Sequence, residues 1–240
     1  MRRLIIADVF RVLRKPSIYV WFGIYLFLFV FDPSSNPTDF DEMYNGLQMT
    51  YNYIWPFMMG IPVFMAVYAD EFKAGAMQTA IGRGLSRKKI IFAKYLDCVI
   101  LALLLSIVEA ISEIIVMRSH MLSVSQLQMV RFLVSALASC LKTIGAMSFA
   151  SVFVFLTLNA SLGLIVLMLV MAFAESILQW VQTALHIPVL TYSYMGQADS
   201  FCNGLAQGEG WIMPLLVFIA YMIVFNILGV AVFRRKELEL

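Results

Sequence analysis

The sequence predicts an all-α integral membrane protein, a class indicated by its apolar composition, its low charge and the length of its apolar segments. Hydrophobic residues make up 62% of the 240 residues, charged residues make up 13%, and the mean hydropathy is +0.86. Soluble domains carry about one quarter charged residues. A helix needs about 20 apolar residues to cross a hydrocarbon core, so a single domain over residues 1–240 has room for about six spans. The alternating segments of about ten residues typical of a membrane β-barrel do not occur.

Residues 1–15 predict an amphipathic helix that lies along the inner membrane surface. Four apolar residues fall at helical spacing on one side and three basic residues fall largely on the other: Ile6, Val9, Phe10 and Leu13 against Arg11, Arg14 and Lys15. A basic start before the apolar run from Ser17 to Phe31 is also typical of a signal peptide. Because no small-x-small cleavage site follows that run, we expect an uncleaved first span.

Five more apolar segments predict further spans, over residues 46–69, 90–117, 132–158, 162–180 and 211–233. The second of the six spans contains Pro56, Gly60 and Pro62, which should kink it or open it locally. The outer segment between the last two spans, residues 182–210, mixes glycines with interfacial aromatic residues. It predicts short outer helices or a re-entrant hairpin.

The distribution of Lys and Arg predicts the orientation. Of the 17 basic residues, five lie in the amino-terminal segment, six in residues 70–94 and three at the carboxyl terminus, leaving Arg118, Arg131 and Lys142. With six spans, the first three groups share one side of the membrane. Cytoplasmic segments carry the excess of basic residues. Both termini and the loop of residues 70–89 are therefore predicted to be cytoplasmic.

The loop of residues 70–89 is the longest charged segment of the chain, and with the predicted layout it resembles the permease subunit of ABC-2 type exporters. That layout has an amphipathic helix, six spans, a cytoplasmic loop after the second span and a semi-buried outer segment. The resemblance covers the whole chain. Its most specific local features are Glu71-Phe72-Lys73-Ala74-Gly75, Gly82-Arg83-Gly84-Leu85-Ser86-Arg87 and Ile90-Ile91-Phe92-Ala93-Lys94.

The resemblance implies that this loop forms a coupling helix, which sits in a groove of a cytoplasmic ATPase subunit. Glu71, Arg83 and Arg87 would then make polar contacts with the ATPase. Met77 and Ile81, at i and i+4, would supply the apolar contact. The alternative is that the basic residues of the loop meet anionic lipid headgroups and fix the topology. We prefer that alternative for the two lysines that follow, Lys88 and Lys89.

The resemblance also implies the partners and the location. The sequence has no Gly-x-x-x-x-Gly-Lys-Ser/Thr phosphate loop, so the chain is expected to be no enzyme and to hold no cofactor, with ATP and Mg²⁺ on two copies of a separate ATPase. A second permease chain, either a copy or a paralogue, would complete the exporter in a bacterial cytoplasmic membrane. Membrane lipid is a further expected partner, and nucleic acid is not. The three cysteines have neither metal nor redox spacing: Cys98, Cys140 and Cys202.

Four of the charged residues inside predicted spans form a candidate polar or substrate path: Glu109, Glu113, Lys142 and Glu175. Lys142 lies about 15 Å from the outer end of its span, at 1.5 Å per residue. An unpaired charge at such depth costs at least about 2.5–3.5 kcal/mol. We predict that Lys142 pairs with Glu109, with Glu113 or Glu175 lining an outer vestibule. A structural clasp, a substrate role and a proton relay all remain open as its purpose.

The expected cargo is a hydrophobic or amphipathic molecule, most simply an antimicrobial or cytolytic peptide. Spans rich in Met and Phe suit variable apolar guests. The alternatives are another ABC-2 cargo, such as a lipid, drug, glycan or sodium ion, and a secondary transporter or membrane enzyme. No inverted repeat supports a secondary transporter. The histidines, His120 and His186, form no cluster with carboxylates that would support an enzyme.

Overall fold

The computed structural model describes residues 2–27, 40–49, 54–69, 81–82, 84–119 and 124–235, and these residues contain helices and no strand. In chain order the helices are α1 (Arg2–Leu13), α2 (Pro16–Tyr25), α3 (Phe40–Met49), α4 (Trp55–Phe64), α5 (Arg87–Ser119), α6 (Gln126–Thr157), α7 (Ala160–Leu185), α8 (Val189–Tyr192), α9 (Tyr194–Gln207) and α10 (Ile212–Arg235). The all-α prediction is therefore confirmed for the described part of the chain.

Four of these helices are long and apolar enough to cross a membrane, namely α5, α6, α7 and α10. They match the third to sixth predicted spans. Of the second predicted span, the described residues include an apolar helix over Trp55–Ala69. The first is described only up to residue 27, and it begins with α2. The fold is that of a membrane protein, and the count of six spans stays a prediction.

The three residues expected to distort the second predicted span have different structural effects. Pro56 lies in the first turn of α4, where its missing N–H leaves no bond unmade. Gly60 packs closely, because a Cβ there would collide with Met171. Pro62 lies inside α4, and a π-helical turn over Met65–Ala69 follows it. Proline and π-helical turns are both recognised causes of helix distortion.

A helix precedes the apolar residues of the second predicted span. Residues 40–49, which include the predicted start of that span, form α3. Phe40 of α3 is buried in a small cluster with Met117 of α5 and Phe132 of α6. This apolar contact holds α3 against the ends of the longer helices.

Helix α6 is the centre of the fold. It packs against α3, α4, α5, α7, α9 and α10, and 61% of its most apolar window is buried, against 33% or less for the other three long helices. Its start is fixed by a capping box, in which Ser125 Oγ accepts from Gln128 N and Ser125 N donates to the Gln128 amide oxygen. Leu158 ends it in a left-handed conformation, and Asn159 then caps α7. The three residues between the predicted spans, 159–161, leave room only for a tight turn, and the structure has one.

The outer segment of residues 182–210 consists largely of helices. The end of α7 is followed by the short α8, and Ser193 separates α8 from α9, whose first turn it caps. Helix α9 packs against both α6 and α10. Gly145 of α6 permits this approach, because a Cβ there would overlap the ring of Tyr194.

Helix α1 packs against α5, but only part of its predicted apolar side is buried. Ile6 and Phe10 are 44% and 60% exposed. Val9 and Leu13 of the predicted stripe pack against the hydrophobic core, beside Val12, which is buried, and Asp8, which is 9% exposed. The predicted apolar stripe is thus partly wrong, because tertiary packing selects a face that includes a carboxylate.

Aromatic rings connect the helices near the amino-terminal end of α5. Phe64 and Tyr68 lie 4.7 Å apart between ring centroids, Tyr68 and Phe155 of α6 lie 5.9 Å apart, and Phe155 and Phe233 of α10 lie 5.2 Å apart. Rings at these spacings make favourable edge or tilted contacts. The row ties the end of the second predicted span to α6 and α10.

Candidate functional site

A buried cluster of charged side chains, here called the Lys94 junction, joins α1 to α5. Lys94 Nζ lies 2.6 Å from Asp8 Oδ2 and 3.5 Å from Asp97 Oδ2. Arg11 Nη2 approaches Asp8 Oδ1 at 3.6 Å. The side chains of Lys94 and Asp97 are 3% and 1% exposed, and charges buried to this extent require partners. The junction therefore fixes α1 on the first turns of α5.

Sequence reasoning found only part of the Lys94 junction. It noted Lys94 in the motif after the loop, but it assigned Asp8 no role. Asp8 is the one acidic residue of α1, a helix with a strongly basic composition. A lone carboxylate in such a helix is the signal that could have indicated a partner on another helix.

Arg87, a predicted ATPase contact, binds this chain's own last helix. Its Nη1 donates to the carbonyl oxygens of Phe233, at 2.8 Å, and of Arg234, at 3.3 Å. The guanidinium carbon also lies 5.3 Å from the centroid of the Phe233 ring. The last carbonyls of a helix lack partners within the helix, and a cation there is favourable. Arg87 thereby fastens the end of α10 to the start of α5.

The remaining predicted coupling residues are described only in part. Ile81 is half-buried against the main hydrophobic core. Glu71, Met77 and Arg83 lie outside the described residues. Contact between this loop and an ATPase stays a prediction.

Glu109 and Glu113 form a second buried polar site with Tyr25 of α2. The two glutamates are one turn apart on α5 and are 0% and 1% exposed. The Tyr25 hydroxyl lies 3.1 Å from Glu109 Oε1 and 3.2 Å from Glu113 Oε1. Glu109 Oε2 is buried without a hydrogen-bond partner among the residues that the structure describes. This site links the first and third predicted spans, and sequence reasoning missed Tyr25 because nothing marks it among the aromatic residues.

The Tyr25 hydroxyl contacts two carboxyl groups but cannot donate a full hydrogen bond to both. The Tyr25 hydroxyl carries one hydrogen, so a full hydrogen bond from it reaches one carboxyl group. One proton on either glutamate would supply the second bond, with the phenol oxygen accepting. If both carboxyl groups were ionised, they would repel each other, because they are adjacent and buried in a region that stabilises charge poorly. The arrangement can therefore hold a proton between two helices.

The predicted Lys142–Glu109 ion pair is wrong. Lys142 Nζ instead lies 2.9 Å from Asp199 Oδ2 and 3.7 Å from Glu175 Oε2. Glu109 lies beside Tyr25, as described above. The error arises because Lys142 faces α7 and α9, whereas Glu109 faces α2. Sequence spacing gave the depth of both residues but not the direction in which each side chain points.

Lys142, Asp199 and Glu175 form a third site, here called the Lys142 cluster, which is partly exposed. The Lys142 side chain is 15% exposed, and those of Asp199 and Glu175 are each 40% exposed. With Lys142 positive and both carboxylates ionised, the cluster carries one net negative charge. Asp199 is the one charged residue of α9, which is the sequence signal that could have found it. The cluster can present carboxylate oxygens to a cation or a basic ligand.

Metal binding has no support in the described part of the chain, where no group of three or more His, Cys, Asp and Glu side chains could hold an ion. Comparison with protein-family models, with curated proteins and with solved structures gave no match. A function for this chain must therefore be argued from its own residues and from the resemblance of its sequence pattern.

Proposed function

We propose that the chain is the membrane-spanning permease subunit of an ABC-2 type exporter, driven by a separate cytoplasmic ATPase. The support is the sequence layout of basic segments and loop, together with four helices able to cross a membrane. The predicted cargo is a hydrophobic or amphipathic peptide. Export of a lipid, drug, glycan or sodium ion is the alternative within the same family.

The Lys94 junction is the observation that carries this proposal. Helix α5 begins at Arg87, within the last residues of the predicted coupling loop, 70–89. Lys94 ties that helix to α1 through a 2.6 Å contact with Asp8, and Arg87 ties it to the end of α10. A force on the loop would move these three helices together. A permease moved by a soluble ATPase needs such a stiff connection.

The Lys142 cluster supports the outer part of the cargo path. Its two carboxylates are partly exposed and its net charge is negative, which suits a basic amphipathic peptide. The fully buried pair of Glu109 and Glu113 offers no such access. In this proposal the Lys142 cluster receives the cargo and the second site holds helices together.

The test measures ATP hydrolysis by the chain in lipid vesicles with an ABC ATPase subunit of its own organism, during titration with basic amphipathic helical peptides. Saturable stimulation is expected. Glu71→Ala should abolish stimulation, because Glu71 is the predicted polar contact with the ATPase. Glu209→Ala is the matched control, since Glu209 is exposed in the outer segment. Asp199→Asn should weaken the peptide response without weakening assembly.

The outcomes separate the parts of the proposal. A complex that forms but ignores peptides would keep the ABC-2 assignment and direct the search to lipids, drugs, glycans and ions. Failure to assemble with any ABC ATPase of the organism would refute the assignment. Equal loss of stimulation in Glu71→Ala and Glu209→Ala would refute the coupling role of the loop.

Proton-coupled secondary transport is the second candidate, favoured by the carboxyl pair that contacts Tyr25. A buried ionisable group in a membrane is often part of a proton path. This candidate requires cargo movement driven by a pH gradient without ATP, and its loss in Glu109→Gln. Cargo movement that requires ATP and ignores the pH gradient would exclude it.

A further inference from the structure

A long apolar groove runs between α5 and α10 on the surface of the protein. Its volume is about 680 Å³, within the range of ligand pockets of small molecules. On α10 it extends from Phe218 to Arg234, about 24 Å at 1.5 Å per residue. That length exceeds the thickness of one hydrocarbon leaflet, about 15 Å. Its walls are mainly aliphatic and aromatic, including Phe92, Met222, Ile223, Ile227 and Val230.

Two basic side chains lie at one end of the groove. Lys88 comes from the first turn of α5 and Arg234 from the last turn of α10, and both line the groove. Both are exposed, and neither makes an ion pair with another described residue. The distribution of basic residues along the chain places this end at the cytoplasmic face. The groove thus combines an apolar channel with a positive end at the level of the inner headgroups.

A second copy of the chain is a poorer occupant for this groove. A two-fold axis along the membrane normal would pair this face with the same face of a second chain and keep each residue at the same depth in both chains. The basic ends would then meet at the same depth, so that Lys88 and Arg234 of one chain would oppose those of the other. Like charges brought together in this way repel. An anion with an apolar tail has the complementary chemistry.

We propose that the groove binds an anionic phospholipid of the cytoplasmic leaflet. Its phosphate contacts Lys88 and Arg234, and an acyl chain lies along Ile227 and Ile223 toward the middle of the membrane. The binding of this lipid depends on the membrane location of the chain and not on the export proposal. The proposal assigns the lipid phosphate to Lys88 and not to its neighbour Lys89, which is exposed but does not line the groove.

The test uses vesicles made of equal amounts of phosphatidylglycerol and phosphatidylcholine, from which the protein is extracted and the retained lipids are identified by native mass spectrometry. Each basic residue near the membrane surface contributes about fivefold to binding of anionic lipid, so a preference of about 25-fold for phosphatidylglycerol is expected. K88Q/R234Q should remove that preference. K89Q removes one charge beside the groove and should keep the preference, whereas K88Q alone, which also removes one charge, should lower it about fivefold.

A second pair of variants tests the apolar channel. Ile227→Trp fills the groove and should reduce retention of both lipids, whereas Leu228→Trp should not, since Leu228 is exposed outside the groove. Equal retention of the two lipids by the wild-type protein would overturn the proposal. So would an equal effect of K89Q and K88Q/R234Q. A dimer that is lost in Ile227→Trp while the lipid preference stays unchanged would identify the groove as a subunit interface and would also overturn it.

Discussion

Replacement of Lys94 by Met should destabilise the fold strongly, because it removes the central cation of the Lys94 junction. Lys94 holds Asp8 at 2.6 Å and Asp97 at 3.5 Å. Asp8 keeps Arg11 at 3.6 Å after the change, but Asp97 loses the one cation that contacts it among the described residues. Removing one partner of a buried pair costs about 3–5 kcal/mol. We expect a loss of that size in the free energy of unfolding.

Replacement of Asp8, the partner of Lys94, should lower the free energy of unfolding by less. In Asp8→Asn, Lys94 still has Asp97, so the loss is that of a charge-assisted hydrogen bond, about 1.5–3 kcal/mol. The triple variant that combines Asp8→Asn, Lys94→Met and Asp97→Asn leaves no buried charge from this cluster. Replacement of a whole buried charge cluster is often nearly neutral. The triple variant should therefore recover most of the stability lost in Lys94→Met.

The assay is reversible unfolding in mixed micelles, followed by helical circular dichroism. Lys89→Met is the control, because Lys89 lies on the same helix and is exposed. The control should change the free energy of unfolding by less than about 0.5 kcal/mol. If Lys94→Met were as stable as Lys89→Met, or if the triple variant were less stable than Lys94→Met, the reasoning about a buried charge cluster would be refuted.

Three further variants test the other contacts by the same measurement. Lys142→Met should cost about 1–2 kcal/mol, less than a fully buried pair, because the Asp199 partner is 40% exposed, and adding Asp199→Asn should restore part of that loss. Gly145→Ala should cost about 1–2 kcal/mol, because the steric cost of its Cβ against the Tyr194 ring exceeds the gain in helix propensity from Gly to Ala. Tyr25→Phe should cost about 1–3 kcal/mol by leaving buried carboxyl groups without their donor.

Two of these variants have a matched control, and the double variant tests the third. Gly23→Ala should stabilise the protein by up to about 1 kcal/mol, since nothing lies within 4 Å of a Cβ there, so equal signs for Gly23→Ala and Gly145→Ala would contradict the packing argument. Tyr192→Phe alters a side chain that is 65% exposed and should have little effect. A Tyr25→Phe variant as stable as Tyr192→Phe would refute the role of the phenol. A Lys142→Met loss unchanged by Asp199→Asn would refute that pairing.

Local sequence features indicated much of the helical architecture. The third to sixth predicted spans each coincide with most of one long helix, because a long apolar run needs no tertiary information to be recognised. The tight turn at Asn159 was also predictable, since too few residues separate two apolar runs for any other connection. The boundaries were less certain: α6 begins at Gln126, before the predicted start at residue 132. Its capping box extends it by more than a turn beyond the apolar run.

The sequence by itself determined the class of this protein, the long helices and the residues at membrane depth that need partners. Those follow from composition and from spacing along one helix. Only the tertiary structure decided the partners, because a side chain's direction depends on how its helix is rotated against its neighbours. That rotation turns Lys142 to Asp199 rather than Glu109, and places Tyr25 against two glutamates. It also buries Asp8 on α5 while Phe10 stays exposed.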